Sequence, residues 1–491
     1  MRHKTLSRLP AGGGGSNVAL LSGRSGSHLR YLSTRGEEAA LAFDDVLLAG
    51  LARDGGLYVP QTWPRFSSAE WRVLRGRPYH EIAFAVLKPY VGAAIPEAEL
   101  ARLTREAYAV FTHLAVAPLK QLDANLWTME LFHGPTLAFK DYALQLVGRL
   151  FDHVLAKRGT RVTIVGATSG DTGPAGIAAV AGSKNIDIVM LHPRGRTSEV
   201  QRRQMTTVLA PNVHNVALDG TFDDCQDAVK AMFGDLEFRD RYSLSAVNSI
   251  NWARVAAQIV YYVHAALALG APDRAVSFCV PTGNFGNVLA ADAARRMGLP
   301  IERLIVATNR NDIVARTILT GTMALEGVAP TMSPSMDIQV SSNFERLVFE
   351  LAGRDGRATA AMMAEFRKEG RFKFPQGLHG ALAEGFGAGA SGEAETLATI
   401  ASVRKATGET IDPHTAVAVH VAKRAKSEAP IVVASTAHPA KFPDAVEKAT
   451  GERPKLPAFL ADLYDRPERA TDLPNDVAKL KEFVAAHARG A

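Results

Sequence analysis

A chain of 491 residues exceeds what one hydrophobic core holds, and domains of about 100–200 residues imply two or three of them. With 47% hydrophobic and 22% charged residues the composition is that of a globular protein, and no apolar run reaches the ~18 residues of a membrane span. The net charge of +6 is scattered rather than gathered in a basic stripe, which argues against a nucleic-acid partner; two distant cysteines, Cys225 and Cys279, make neither a disulfide framework nor a thiolate metal site.

Residues 1–30 carry Arg2, Lys4, Arg8, Arg24 and Arg30, and the first acid is Glu37. A basic, acid-free leader has the look of a transit peptide, but the run Gly12–Gly15 would break a targeting helix. The segment reads as a disordered extension or a start assigned too far upstream. Residues 31–115 form an N-terminal domain, mostly helical, with apolar residues at helical spacing over 79–87 and 97–108. Residues 116–470 form the catalytic domain, where strands alternate with helices. Strands are predicted at 161–167, 186–191, 213–218, 275–280, 304–307 and 430–434. Helices are predicted at 198–209, from 222 with Thr221 or Asp219 as cap, at 255–269 and at 288–297. Within this domain, about 145–265 reads as a smaller subdomain and about 310–410 as a less regular insertion; residues 471–491 read as a helical tail. The alternation implies an α/β fold of parallel sheets flanked by helices, whose ligands lie at the carboxyl ends of strands.

The chemistry-bearing segments all fall at such ends or in loops. The first, 130–141, reads E-L-F-H-G-P-T-L-A-F-K-D and sets Lys140 behind Leu137, Ala138 and Phe139. Burial favours the neutral amine that Schiff-base chemistry needs, although a lysine beside an aspartate is usually a surface ion pair. The second, G-A-T-S-G-D-T-G at 166–173, lies between a strand and a helix and offers glycines, hydroxyls and a helix N-terminus to a carboxylate or phosphate. The third, P-T-G-N-F-G-N at 281–287, offers a row of backbone N–H groups to a dianionic phosphate. The fourth, N-S-I-N-W-A-R at 248–254, places polar groups and Arg254 at a helix entrance, where a bidentate phosphate contact competes with an ordinary surface arginine. The fifth, S-T-A-H-P-A-K at 435–441, follows the late strand; a hydroxyl there suits a ring nitrogen. His438, His414 and His420 match no compact metal-ligand spacing, so no metal is expected.

A glycine-rich turn between strand and helix is also the mark of dinucleotide binding. The spacing Gly166, Gly170, Gly173 is not G-x-G-x-x-G, and His192, Pro193 and Arg194 end the next strand where an acid is required. That leaves an NADP-linked reductase as a rival of another class. A Walker A loop is excluded because no G-K-[ST] follows.

Taken together these segments resemble the threonine synthases of the longer bacterial and fungal kind. Further matching pieces are Y-L-S-T-R-G from Tyr31, D-G-G-L-Y-V-P from Asp54, A-T-N-R-N-D from Ala307 and S-P-S-M-D-I-Q-V-S-S-N-F-E-R from Ser333. The pieces run in family order from residue 31 to about 450. The resemblance implies a pyridoxal-phosphate (PLP) enzyme of fold type II, the tryptophan-synthase-β-like fold. It implies a lyase that turns O-phospho-L-homoserine and water into L-threonine and phosphate, the last step of threonine biosynthesis. By motif, Lys140 is the Schiff-base lysine, and Gly283, Asn284, Phe285, Gly286 and Asn287 hold the cofactor phosphate. Thr436 meets the pyridine nitrogen, and Asp171 stands where shorter relatives carry an asparagine near the ring oxygen. Thr168, Ser169 and Thr172 take the substrate carboxylate; Asn248, Ser249 and Arg254 take its phosphate. The expected setting is cytoplasmic, as a monomer or homodimer acting on a small molecule. The alternatives are a phospho-lyase that releases 2-oxobutyrate and a silent binding protein of the same fold.

Overall fold

The computed structural model describes residues 29–489, apart from Glu37 and Val247. The expectation for the N-terminal extension therefore lies almost wholly outside the described residues.

Two parallel sheets carry the architecture. The larger has six strands in the order Phe386–Ala390, Ile301–Thr308, Val276–Pro281, Ile431–Ser435, Leu126–Glu130, Leu119–Asp123; only the last pairs antiparallel. The smaller has five parallel strands in the order Thr471–Pro474, Val213–Asp219, Ile186–Pro193, Val162–Ala167, Leu244–Ser245. Strands covered on both faces read as continuous apolar runs, and every residue of Ile186–Pro193 and Val276–Pro281 is buried.

Helix Trp252–Ala268 runs through the core between the N-terminal helices and the helices that follow the site loops. It is mostly apolar, Arg254, Gln258 and His264 apart, and buried along nearly its whole length. Among the N-terminal helices, Glu97–Tyr108 shows one apolar face, burying Leu100, Leu103, Thr104, Ala107 and Tyr108 at helical spacing. The N-terminal part also holds an antiparallel strand pair, Tyr31–Ser33 with Tyr58–Pro60. Thr221 caps Phe222–Gly234 in a reciprocal box with Asp224, so Thr221 and not Asp219 is the cap.

Residues 310–410 are more regular than their turn-rich sequence suggests. They hold the helices Ile313–Thr320, Phe344–Leu351, Gly356–Glu369, Gln376–Gly385 and Glu393–Thr407. They also supply Phe386–Ala390 (F-G-A-G-A), an edge strand of the larger sheet that glycine and alanine hide from a propensity reading. The tail begins as a strand, Thr471–Pro474, before helix Val477–His487. No helix among the described residues is long and apolar enough to cross a membrane.

Candidate active site

The sheet order brings the sequence motifs together. In the larger sheet, strands Val276–Pro281, Ile431–Ser435 and Leu126–Glu130 are neighbours, and their carboxyl ends lead into the loops at 282–287, 436–441 and 131–140. In the smaller sheet, Val162–Ala167 and Leu244–Ser245 are neighbours and lead into 168–173 and 246–254. Crevices beyond such strand ends are where α/β sheets hold ligands.

Lys140 opens helix Lys140–Arg158. Leu137, three residues earlier, sits in the left-handed region at φ 62°, where a branched side chain is strained. The turn is held by Phe139 N–H donating to the Thr436 carbonyl at 2.9 Å and by His438 N–H donating to the Leu137 carbonyl at 3.0 Å. Thr436 therefore lies beside the lysine segment. Lys140 Nζ stands 3.4 Å from Asp171 Oδ2. Burial lowers the affinity of this amine for its proton; Asp171 raises it, and the cations of Arg254 and Lys441 lower it again, with a net fall. Burial alone would favour a neutral Asp171, but Lys441, then Lys140, then a bond from Gln201 Nε2 hold its carboxyl far below the usual range. The neighbouring Asp141 accepts from Thr136 N–H at 2.8 Å and from the Thr136 hydroxyl at 2.6 Å, and burial pushes it up to about 6.

The glycine–asparagine loop lies close by. Tyr142, two residues after Lys140, packs edge-on against Tyr261 at 5.9 Å, and the Tyr261 hydroxyl donates to Asn287 Oδ1 at 2.5 Å. Phe285 holds φ 62°, which turns the chain into helix Gly286–Arg296 with its N-terminus toward the crevice. A Cβ on Gly283 would stand 2.7 Å from the Ser335 carbonyl oxygen, so the loop backbone runs against the turn at 333–336. That turn is fixed in its own right: the amides of Asn309 and Asn311 both donate to Asp337 Oδ1, at 2.8 and 2.9 Å.

These residues fit PLP. Asn287 Nδ2 is buried without a protein partner, a donor left over at the 281–287 loop. Lys140 and Lys441 both stand against the single Asp171 carboxylate, and the buried Arg254 lies near Lys140, an excess of positive charge that a dianionic group balances.

In the 166–173 turn, Thr168 Oγ1 accepts from Gly170 N–H and Gly173 N–H and donates to the Gly170 carbonyl. Its hydroxyl thus shapes the 166–173 turn, while Ser169 is exposed and Thr172 half-buried at the start of helix Thr172–Val180. Asn248 Oδ1 accepts from the N–H groups of Ile250 and Asn251, and Asn251 caps helix Trp252–Ala268. Arg254 is buried, donates through Nη1 to the Asn248 carbonyl, and has no acidic partner within ion-pair reach among the described residues. Burial lowers its affinity for its proton, to about 10.

Sequence reasoning gave no role to Lys441, Gln201, Asn343 or Arg346. Lys441 closes the fifth motif and Asn343 and Arg346 stand in S-S-N-F-E-R, so motif membership was their only signal. Asn343 Nδ2 donates to both the Ser249 and the Asn284 carbonyls at 3.1 Å, tying the fourth motif to the third. His438 accepts from Ala440 N–H and packs on Phe132, and no cluster among the described residues suits a metal.

Family models described as "Threonine synthase N terminus", "Pyridoxal-phosphate dependent enzyme" and "Threonine synthase, C-terminal" match residues 30–108, 110–372 and 415–484. The threonine synthase of Pseudomonas aeruginosa is 55% identical over 462 residues, 94% of this chain and 98% of that protein. The threonine synthase of Saccharomyces cerevisiae is 40% identical, over 85% of this chain and 88% of its own. Among solved structures, PLP-bound threonine synthase from Brucella melitensis aligns with a TM-score of 0.93 at 56% identity, covering 94% of this chain and all of that one. Threonine synthase from yeast aligns at 0.89 and 37% identity, over 94% and 99%. The fold is the fold-type-II arrangement that the resemblance implied. The chain belongs to the threonine synthase family of pyridoxal-phosphate-dependent enzymes.

Proposed function

We propose that the chain converts O-phospho-L-homoserine and water to L-threonine and phosphate, acting on this small molecule in the cytoplasm as a monomer or homodimer. The observation that carries the reading is the Lys140 amine, held 3.4 Å from Asp171 of the 166–173 turn with Arg254 and Lys441 near it.

When bound, PLP supplies an electron-accepting ring that stabilises negative charge on the substrate carbons. Lys140 would anchor it, and the backbone of 283–287 with the spare Asn287 amide would receive its phosphate at the start of a helix. Thr436, whose carbonyl accepts from Phe139 N–H, would meet the ring nitrogen, and a hydroxyl there would withdraw less charge than a carboxylic acid partner. The N-terminus of helix Thr172–Val180, with Ser169 and Thr172, holds the substrate carboxylate, while Thr168 keeps the turn in shape. Arg254, with Asn248 and Ser249, holds the γ-phosphate until it leaves. The Lys140 amine takes the α-proton, and Asp171 stabilises the ammonium so formed. Loss of a β-proton lets the phosphate leave with the Cγ–O bond pair, the γ-carbon takes up a proton, the hydroxyl of water adds at the β-carbon, and a proton returns to the α-carbon.

The test is to mix the purified protein, PLP and O-phosphohomoserine and to assay threonine, 2-oxobutyrate and phosphate. Threonine with equimolar phosphate is expected; 2-oxobutyrate alone makes the chain a phospho-lyase, and neither product ends the proposal. Borohydride reduction followed by peptide mapping should place PLP on Lys140. Lys140→Ala should lose both the label and turnover.

A further inference from the structure

The mechanism above leaves a second buried lysine unused. Lys441, in the turn Pro439–Lys441 after the larger sheet's strand Ile431–Ser435, has a side chain with no solvent exposure, and its Nζ lies 3.0 Å from Asp171 Oδ1. Asp171 itself precedes helix Thr172–Val180 of the smaller sheet. Its other oxygen, Oδ2, faces Lys140 at 3.4 Å. One buried carboxylate therefore stands between two ammonium groups, one on each oxygen. Lys441 also donates to the Thr136 carbonyl at 2.6 Å and to Gln204 Oε1 at 3.0 Å, so all three of its protons have acceptors. Gln201 Nε2 adds a 2.9 Å bond to the oxygen that Lys441 holds.

We infer that Lys441 is a positioning residue: it fixes Asp171 by one oxygen and shares its charge, so that Lys140 is not locked to Asp171 in a one-to-one ion pair. The inference rests on the proposed role of Lys140. A carboxylate beside an amine, unshared, raises the proton affinity of that amine by about 1–3 pH units. An amine that must be neutral to bind a carbonyl and to accept a proton gains when that pull is divided. Lys140 is faced by Asp171, Arg254 and Lys441; Lys441 is faced by Asp171, Asp141 and His438. Among these, Lys441 alone touches the carboxylate that Lys140 touches.

The test reads Lys140 directly. In the full chain before PLP is added, the rate at which trinitrobenzenesulfonate labels Lys140 is followed against pH by peptide mapping, with melting temperature recorded alongside. Lys441→Met and Lys441→Gln should each raise the labelling midpoint by about one pH unit. Asp171→Asn should lower it. Lys441→Met placed on Asp171→Asn should move it by less than half the shift seen in the wild type, because only direct repulsion remains. The double variant removes both members of the buried pair, a change that folded proteins tolerate better than loss of one, and Lys441→Gln keeps a donor for the Thr136 carbonyl. An equal shift in both backgrounds would make Lys441 a distant charge, and an unchanged midpoint with a lowered melting temperature would make it structural; either overturns the inference. If borohydride mapping fails to place PLP on Lys140, the functional reading falls, whereas the labelling shifts report on Lys441 regardless.

Discussion

Arg346 donates through Nη1 to Asn343 Oδ1, and this fixes which way the asparagine amide points. With its oxygen taken, Asn343 turns Nδ2 onto the carbonyls of Ser249 and Asn284. Arg346 is buried, donates through Nε to the Tyr58 carbonyl and through Nη2 to the Ile250 carbonyl, and lies over the Trp252 ring. Next to it, Glu345 accepts from the Thr34 hydroxyl and from Arg35. The N-terminal motifs thus brace the two loops proposed to hold phosphate.

Asn343→Ala removes two donors from that brace. A net hydrogen bond contributes about 1 kcal/mol, so PLP affinity should fall roughly tenfold or more, measured by absorbance titration. A dissociation constant equal to that of the wild type would show that the brace does not govern the loop.

Gly283→Ala sets a methyl group 2.7 Å from the Ser335 carbonyl oxygen. Either the loop or the turn at 333–336 must move, at a cost of about 1–3 kcal/mol. PLP should bind at least about tenfold more weakly, with a smaller fall in melting temperature than the binding loss implies.

Arg254→Gln should leave PLP binding and its visible spectrum in place while kcat/KM for O-phosphohomoserine falls about 10- to 100-fold, the value of a charge-assisted contact of about 1.5–3 kcal/mol. Inorganic phosphate should inhibit the wild type more strongly than the variant. Equal inhibition would place the substrate phosphate elsewhere.

Asp141 gives a pH signature of definite sign. Burial raises it to about 6 in the folded chain, above its value of 3.8 in an unfolded one, so folding favours its protonated form. Its stabilising contribution is full below about 4 and is lost as pH rises through 6. Urea unfolding of the wild type and of Asp141→Asn, compared at pH 5 and pH 7.5, should show the asparagine variant gaining relative stability at the higher pH. A difference independent of pH would remove Asp141 as the cause.

Much of the site was legible because each loop follows an apolar strand and precedes a helix. G-A-T-S-G-D-T-G and P-T-G-N-F-G-N announce their turns through glycine, and the structure seats both at strand ends. The partnership of Asp171 with Lys441 was not legible: the residues lie far apart in sequence, on loops of different sheets, and no local pattern encodes the pairing. Arg346 escaped for a similar reason, since two of its three acceptors are backbone carbonyls of distant segments that any residue type supplies. The strand Phe386–Ala390 was hidden because its place depends on pairing with Ile301–Thr308, not on its own small residues.

The edge strand Thr471–Pro474 pairs with Val213–Asp219, and the helix after it lays Leu480 and Val484 on the cluster of Val165, Val189 and Val216. On the ribosome, the first strands of this sheet emerge long before the strand and helix that cover them. The nascent chain must therefore carry an open sheet edge and a bare apolar flank until that later segment is made. The segment that seals them is translated long after the strands it covers, which makes that interval the time when a chaperone has most to protect.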